Sequence, residues 1–461
     1  MEKKEKKGLN ISVRSFLTAI IVIFSLMVVS YVLTLIVPGG RYVRFPDEDG
    51  NMVISATGFY NVDGGIPFWK WLLSPVLCLS AAGSGTLIAV IAFLLVIGGV
   101  FGCLEKCGLM QYLLHKTTHR FAGVRYQLMA VLTLLFMAMG AMIGSFEECV
   151  PMVPIVVALS ISLGWDAITG LCMSLLAVGC GFAAGICNPF TVGVAQQLAG
   201  LPMFSGVWLR LVAFILIYGL LMLFITLRAK KIEKPPVEQQ DFTSDSKMDR
   251  GLKWFLIILA VGITAVLSSG FITVLQDYTM IIVAVTFLAA GICSCTICGM
   301  ENKFKTFMSG LTAILPAVLM ILMASSIRYT LEEAHVLDSL LHSAVGMAQT
   351  MPKWSVILFI YLLVLVMNFF IPSGSAKAFM LIPLIVPMAG VFGISAQLCV
   401  VAFAFGDGFS NVFYPTNPAL LIGLGLADVS YPTWFKKSVS FQLANLVLTG
   451  LLLLFGLAAG Y

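Results

Sequence analysis

Long apolar runs separated by short polar connections occupy almost the whole chain. Residues 16–37, 254–276, 278–300, 306–327 and 438–461 carry no charge, and each is long enough to cross roughly 30 Å of hydrocarbon as a helix. Two other stretches, 144–210 and 373–436, interrupt the pattern with Pro, Gly and isolated charges, and they resemble one another. Gly164 pairs with Gly393, Pro154 with Pro383 and Glu148 with Lys377 at one offset (393 minus 164, 383 minus 154 and 377 minus 148 all give 229). Further on, Pro189 pairs with Pro415 and Trp208 with Trp434 at an offset of 226, so a three-residue deletion reconciles the copies. Duplicated and interrupted apolar segments predict an all-α polytopic membrane protein with two repeats and a substrate site at their interface.

Composition narrows this further. With 60% hydrophobic and 11% charged residues, the chain cannot present the polar coat of a water-soluble globule. The start, MEKKEKKGLNISVR, resembles a signal-peptide n-region, but the apolar run behind it is too long and has no small-residue cleavage site before Pro38, so a retained first helix is expected. The eleven Cys are scattered through apolar stretches with no paired framework in the long loop 38–70, and disulfides are not expected. Cys293, Cys295 and Cys298 form a tight group without His, Asp or Glu, which reads as small helix residues rather than a metal site. His115, His119, His335 and His342 lack zinc-ligand spacing.

Charge sets the sidedness. Placing the N-terminus, 106–125, 228–253, Lys303, Lys305, Lys436 and Lys437 in the cytoplasm puts 20 Lys and Arg inside. Six remain outside (Arg41, Arg44, Lys70, Arg210, Arg328, Lys353) and Lys377 lies within the membrane region, accounting for all 27. The expected order is a cytoplasmic N-terminus 1–15 and a first membrane half 16–227, with a re-entrant hairpin 127–163 and a broken helix 167–200. A cytoplasmic linker 228–253, rich in charge and containing Pro235 and Pro236, leads to a second half 254–461 with hairpin 354–392 and broken helix 395–426. The second hairpin then enters from the face opposite the first, which makes the repeats inverted. Polar amphipathic stretches precede each hairpin, clearest at Leu331, Leu337, Leu340, Leu341 and Val345, and read as interfacial helices.

Between Arg125 and Arg210 the only charged residues are Glu147, Glu148 and Asp166; between Lys353 and Lys436 they are Lys377, Asp407 and Asp428. Asp166 and Asp428 fit helix ends. A charge near the bilayer centre costs roughly 2.5–3.5 kcal/mol even on insertion scales, so the others need a reason. Glu148 could cap the helix that follows it, which accounts for one of two adjacent carboxylates. In a water-poor site the pair is expected to bind a proton or a substrate ammonium. Lys377 opens a helix at its positive end and needs an anionic partner: Glu147 or Glu148, a substrate carboxylate, or Asp407. Pro189, Pro415 and Pro418 break their helices, and Asn188, Thr191, Asn411, Thr416 and Asn417 beside them can coordinate a cation or polar substrate groups. Asp407, flanked by Gly406 and Gly408, is the leading coupling-ion carboxylate, with Glu148, Asn188 and Asn411 as its companions.

The segments GSFEECVPMVPIVVALSISLGWD, IPSGSAKAFMLIPLIVPMAGVFGIS and AFGDGFSNVFYPTNPALLIGLG resemble the YfcC family of proposed basic amino acid antiporters. That family is related to the four-carbon dicarboxylate anaerobic carriers and, more loosely, to the ion transporter superfamily. The resemblance implies opposed hairpins meeting broken helices, a homodimeric scaffold and elevator-type alternating access. Sodium-coupled dicarboxylate members carry Ser-Asn-Thr hairpin tips. Here the tips read Ser145, Phe146, Glu147, Glu148 and Ser373, Gly374, Ser375, Ala376, Lys377, so neither sodium sites nor dicarboxylate specificity carries over. The expectation is an ion-coupled secondary transporter of amino acids, basic ones in the narrower reading, in the inner membrane. The alternative is a four-carbon dicarboxylate or other organic anion carrier. No cofactor and no metal beyond a sodium site are implied, the coupling ion being sodium or a proton. No enzyme constellation appears, few charges argue against a channel, and topology accounts for the basic residues without nucleic acid.

Overall fold

The computed structural model describes residues 13–46, 52–81, 84–113, 116, 122–144, 146–235, 246–269, 279–348 and 350–461. Among them eight helices are long and apolar enough to cross a membrane. The chain is a multi-pass, mostly helical membrane protein. Its helices follow the uncharged runs with two adjustments. The run 306–327 is divided at Ile314, because Pro316 starts a new helix: Lys303–Ala313 is followed by Leu315–Glu333. The last helix, Tyr431–Ala458, begins before the uncharged run and carries Lys436 and Lys437 in its early turns.

The all-α expectation needs one correction. Within the loop 38–70, strands Gly40–Pro46 and Met52–Asn61 pair antiparallel, with Tyr42 opposite Phe59 and Phe45 opposite Val53. The cause is local: β-branched and aromatic residues on either side of an Asp-Glu-Asp-Gly-Asn stretch are hairpin composition. Tyr42 points inward while Arg41 and Val43 are exposed. Asp338, on the helix Val336–Ala348, accepts from the Tyr42 backbone N–H at 2.9 Å and from Arg44 at 2.8 Å. This fastens the sheet to that helix. Leu337 and Leu341 of the same helix are buried in protein, so its apolar face has a protein partner.

The two interrupted helices lie at the centre. The first runs Ala167–Leu171, a wide π-turn Cys172–Leu176, Ala177–Ala184, an unwound stretch 185–188, a second π-turn Pro189–Gly193 and Val194–Leu198. The second runs Ala396–Gly408, a 3₁₀ turn Phe409–Val412, an unwound stretch 413–417 and Pro418–Leu426. Their caps correspond. Asp166 accepts from Thr169 N at 2.9 Å and Ser395 from Leu398 N at 3.1 Å. Asn188 accepts from the N–H groups of Phe190 and Thr191, and Asn417 from those of Ala419 and Leu420. Both pairs share the offset of Gly164 from Gly393 (395 minus 166 and 417 minus 188 give 229). Pro189 therefore matches Pro418, each at the first turn after its Asn cap, and not Pro415. The length difference between the copies falls after the breaks.

Where lipid offers no hydrophobic drive between helices, close backbone approach holds them together. A Cβ on Gly181 would lie 1.8 Å from Met137 O, and one on Gly408 2.1 Å from the Cα of Ala183. The helices Arg125–Met142, Ala177–Ala184 and Ala396–Gly408 are thus locked by absent side chains. Gly408→Ala is expected to destabilise the protein by about 1–3 kcal/mol, read as a lower unfolding midpoint in detergent. An unchanged midpoint would mean that the two broken helices can separate freely.

Candidate functional site

Each predicted tip sits on a break. After the helix Arg125–Met142 the chain turns through Gly144, whose φ of +74° a side chain would resist. A Cβ there would stand 2.3 Å from Asn188 Oδ1, and Cys187 N donates to Ala141 O at 3.0 Å. After the helix Lys353–Phe370 the second turn leads into Gly374–Val391, where a Cβ on Gly374 would stand 2.7 Å from Asp407 Oδ2 and 3.2 Å from Thr191 Oγ1. The packing crosses between the copies. Gly374–Val391 lies against Pro189–Gly193 and Val194–Leu198, while the 3₁₀ helix Glu147–Met152 lies against Pro418–Leu426.

Lys377 finds its anion in Asp407. Both side chains are fully buried, and Nζ stands 2.5 Å from Oδ1. Nζ also donates to Ile371 O at 3.1 Å and to Asn368 Oδ1. A lysine side chain on a helix leans toward the N-terminus, so the ammonium reaches back to the turn just before its own helix. Asn368 is the residue that sequence reasoning missed. Its Nδ2 lies within hydrogen-bond distance of Asp407 O (3.1 Å), Ser410 Oγ (2.7 Å) and Asn411 Oδ1 (3.0 Å). Asn411 donates to Asp407 O at 2.8 Å and accepts from Asn417 Nδ2 at 3.1 Å. Asn188 Nδ2 donates to Thr191 Oγ1 at 3.1 Å, and Thr191 borders Asp407 through Gly374. Asn188, Thr191, Gly374, Lys377, Asp407, Asn411 and Asn417 thus form one connected polar centre around Asn368. Removing it with Asn368→Ala leaves the buried Lys377 and Asn411 short of partners. The expected cost is about 1–3 kcal/mol, checked by thermal unfolding against Asn368→Asp, which keeps an acceptor for Lys377.

The breaks are also braced from outside. Trp434 Nε1 donates to Val412 O at 2.7 Å and Tyr431 OH to Phe413 O at 3.0 Å, so the last helix satisfies carbonyls that the unwound stretch frees. Asp166 pairs with Arg228 at 2.5 Å besides capping its helix.

The remaining sequence candidates are placed differently. Ser145 lies outside the described residues. Ser373 precedes the Gly374–Val391 helix and its carbonyl accepts from Lys377 N at 3.1 Å; it and Ser375 are half-buried. Thr416 is buried with no partner for Oγ1 among the described residues. Glu147 and Glu148 do not reach Lys377, although the two copies align Glu148 with it; among the described residues neither joins an ion pair. Asp407 is the charge from the second copy that acts on Glu147. Glu148 turns toward a cavity of about 20 Å³ lined by Met139, Leu259, Gly262, Thr286 and Phe287, room for a single water. Its Oε2 is buried without a partner among the described residues. Asp407 Oδ2, on the second broken helix, is likewise buried without a hydrogen bond among the described residues, and the Thr191 hydroxyl is its neighbouring donor.

Arg210, on the helix Val207–Ile232, is buried. It donates to Ser205 O at 2.9 Å, apart from this centre.

A multi-pass helical protein whose central helices unwind around buried charge is a membrane transporter by architecture. The sequence profile of the C4-dicarboxylate anaerobic carriers (DcuC) matches residues 16–458, and the chain belongs to that family. It is similar to the proposed basic amino acid antiporter YfcC of Escherichia coli (strain K12), 28% identical over 405 residues that span 80% of this chain and 79% of the relative. It is also similar to an uncharacterised protein of Haemophilus influenzae, 24% identical over 79% of this chain and 74% of that one. Among solved structures, the Alcanivorax borkumensis YdaH transporter aligns over 97% of this chain and 99% of its own at 18% identity and a TM-score of 0.44. Neisseria gonorrhoeae MtrF aligns over 95% and 94% at 16% identity, with the same TM-score. The YfcC resemblance read from the tip and break motifs holds over 80% of the chain.

Proposed function

We propose that this chain is an ion-coupled secondary transporter of amino acids that carry an extra cationic group, such as lysine or arginine. The observation behind this is how charge is spent at the tips. The one lysine available to hold a carboxylate is committed to Asp407, Asn368 and Ile371 O. Three carboxylates (Glu147, Glu148, Asp407) then face one ammonium, a formal balance of −2 that an anionic guest would worsen and a cationic one would relieve. Glu147 and Glu148 are assigned to the substrate ammonium or the coupling proton. Asp407 Oδ2, Thr191 and the Asn residues of the breaks are assigned to the coupling ion, sodium or a proton. Chemically, the set Asp407, Thr191 and Asn188 offers oxygen donors suited to a hard cation.

The same reading takes the copies as inverted repeats with re-entrant hairpins working as an elevator in a homodimer, with the N-terminus in the cytoplasm of an inner membrane. The shared capping offsets and the crossed packing support the repeats, and the distribution of Lys and Arg supports the orientation. The family's description as C4-dicarboxylate carriers favours a second reading, in which the anion binds the helix N-termini at the tips. Counterflow in proteoliposomes separates the two. Saturable exchange of labelled lysine or arginine, with none of succinate, is expected; succinate exchange without amino acid exchange would overturn the assignment.

A further inference from the structure

Four cysteines gather where two helices end, away from the broken helices. The helix Ser84–Lys106 stops because Gly108 adopts φ +79°, and Cys107 lies between its last residue and that glycine. The helix Thr279–Ile297 stops before Gly299, at φ +75°, with Cys295 in its last turn and Cys298 just beyond. The two ends lie side by side. Cys295 Sγ donates to Cys107 Sγ at 3.7 Å, Cys298 is a second hydrogen-bonding neighbour of Cys107, and Cys103 lies one turn earlier. All eleven cysteines are free; of this group Cys107 and Cys298 are half-exposed, and Cys103 and Cys295 are buried.

We propose that Cys107 and Cys295 form a peroxide-responsive dithiol, a modification site separate from the transport site. Cys107 has the accessibility of an attacking thiol, and Cys295 is already in contact to resolve it. The hydrogen bond from Cys295 lowers the Cys107 pKa to about 7, outweighing burial; a helix C-terminus would by itself disfavour the thiolate, and the Leu109 backbone N–H and the Cys298 thiol, which also hydrogen-bond Cys107, offset part of that. The Cys107 thiolate attacks hydrogen peroxide. An S–O bond forms as the O–O bond breaks, and the departing hydroxide takes a proton from solvent and leaves as water. Cys295 then attacks the sulfenic sulfur: the S–S bond forms, the S–O bond breaks, and the hydroxide leaves with the Cys295 proton as a second water. The two sulfurs lose the two electrons that the peroxide gains. The sulfurs must close from 3.7 Å to about 2.0 Å, a shift that Cys107, just past the end of its helix, can supply.

The test is peroxide titration of the full-length protein in nanodiscs. Free thiols are then alkylated, the sample is reduced, and the newly freed thiols are labelled and located by peptide mass spectrometry. Cys107 and Cys295 are expected to become reducible together, at roughly ten times lower peroxide than the half-exposed controls Cys187 and Cys293. Cys107→Ser should leave Cys295 unmodified, and Cys295→Ser should leave Cys107 as a dimedone-reactive sulfenic acid with no bridge. Oxidation of Cys107 no faster than the controls, or a bridge to Cys298 in place of Cys295, overturns the assignment.

Discussion

Lys377→Met is expected to cost about 3–5 kcal/mol of stability, because it strands the Asp407 carboxylate in a fully buried position. Adding Asp407→Asn should restore more than half of that loss. Removing both members of a buried pair leaves neither charge uncompensated, and Asn at 407 can still take part in hydrogen bonding near Asn368. Unfolding midpoints of the two variants in the same detergent measure this directly. If Lys377→Met melts with the wild type, the ammonium is not held by Asp407 and is available to a substrate anion after all, which would revive the dicarboxylate reading. The double variant also separates structure from transport. It should fold yet show no ion-coupled uptake, since Asp407 Oδ2, the oxygen assigned to the coupling ion, is gone.

Much of this centre was legible in the chain, for identifiable reasons. Prolines, glycines and charges inside apolar runs mark the places where backbone bonding must be interrupted, and the tips and breaks lie at those places. The partner of Lys377 was narrowed to three candidates but not chosen, because the choice depends on how far a four-carbon side chain reaches back over its own helix start. Asn368 escaped notice because one amide in VILFIYLLVLVMNFF looks like a tolerated polar residue; its place three residues before the turn was the available signal. Proline and tryptophan spacing alone pairs Pro189 with Pro415, whereas the Asn caps set the register with Pro418. The alignment of Glu148 with Lys377 is sound as sequence, but it does not make the two side chains face each other. Pro151 accompanies a tight 3₁₀ turn at Glu147–Met152, where the second copy has a regular helix at Gly374–Val391. Side chains in a 3₁₀ turn leave the axis at a different angle from those in an α-helix. Equivalent positions therefore point to different neighbours, and Glu148 looks toward Leu259 and Phe287.

Glu148→Gln is the second large effect expected, and its two readouts should move in different directions. Counterflow of a cationic amino acid should fall roughly 10- to 100-fold, the loss of one charge-assisted hydrogen bond worth about 1.5–3 kcal/mol. Stability should not fall. The cap residue Phe146 makes no side-chain bond, the Glu148 carboxylate accepts from its own backbone N–H, a bond that a Gln carbonyl keeps, and Oε2 is buried without a partner among the described residues. An amide therefore removes a desolvated charge without removing a structural contact. If Glu148 served only to cap its helix, the substitution would instead lower the unfolding midpoint and leave transport per folded molecule intact. The cavity beside it sharpens the mechanism. It is lined by Met139, Leu259, Gly262 and Phe287, with Thr286 as its one neutral polar group besides the Glu148 carboxylate. An ionised carboxylate facing such a wall resists sliding past it, whereas a protonated one, or one paired with a substrate ammonium, does not. Under the elevator reading proposed above, occupancy of Glu148 would thus decide when the tips move relative to the helices Ser246–Ser269 and Thr279–Ile297. Glu148→Gln, permanently neutral, should move without cargo. A pH gradient should then no longer drive uptake, and a cysteine pair bridging the tip and the helix Thr279–Ile297 should cross-link to the same extent with and without substrate.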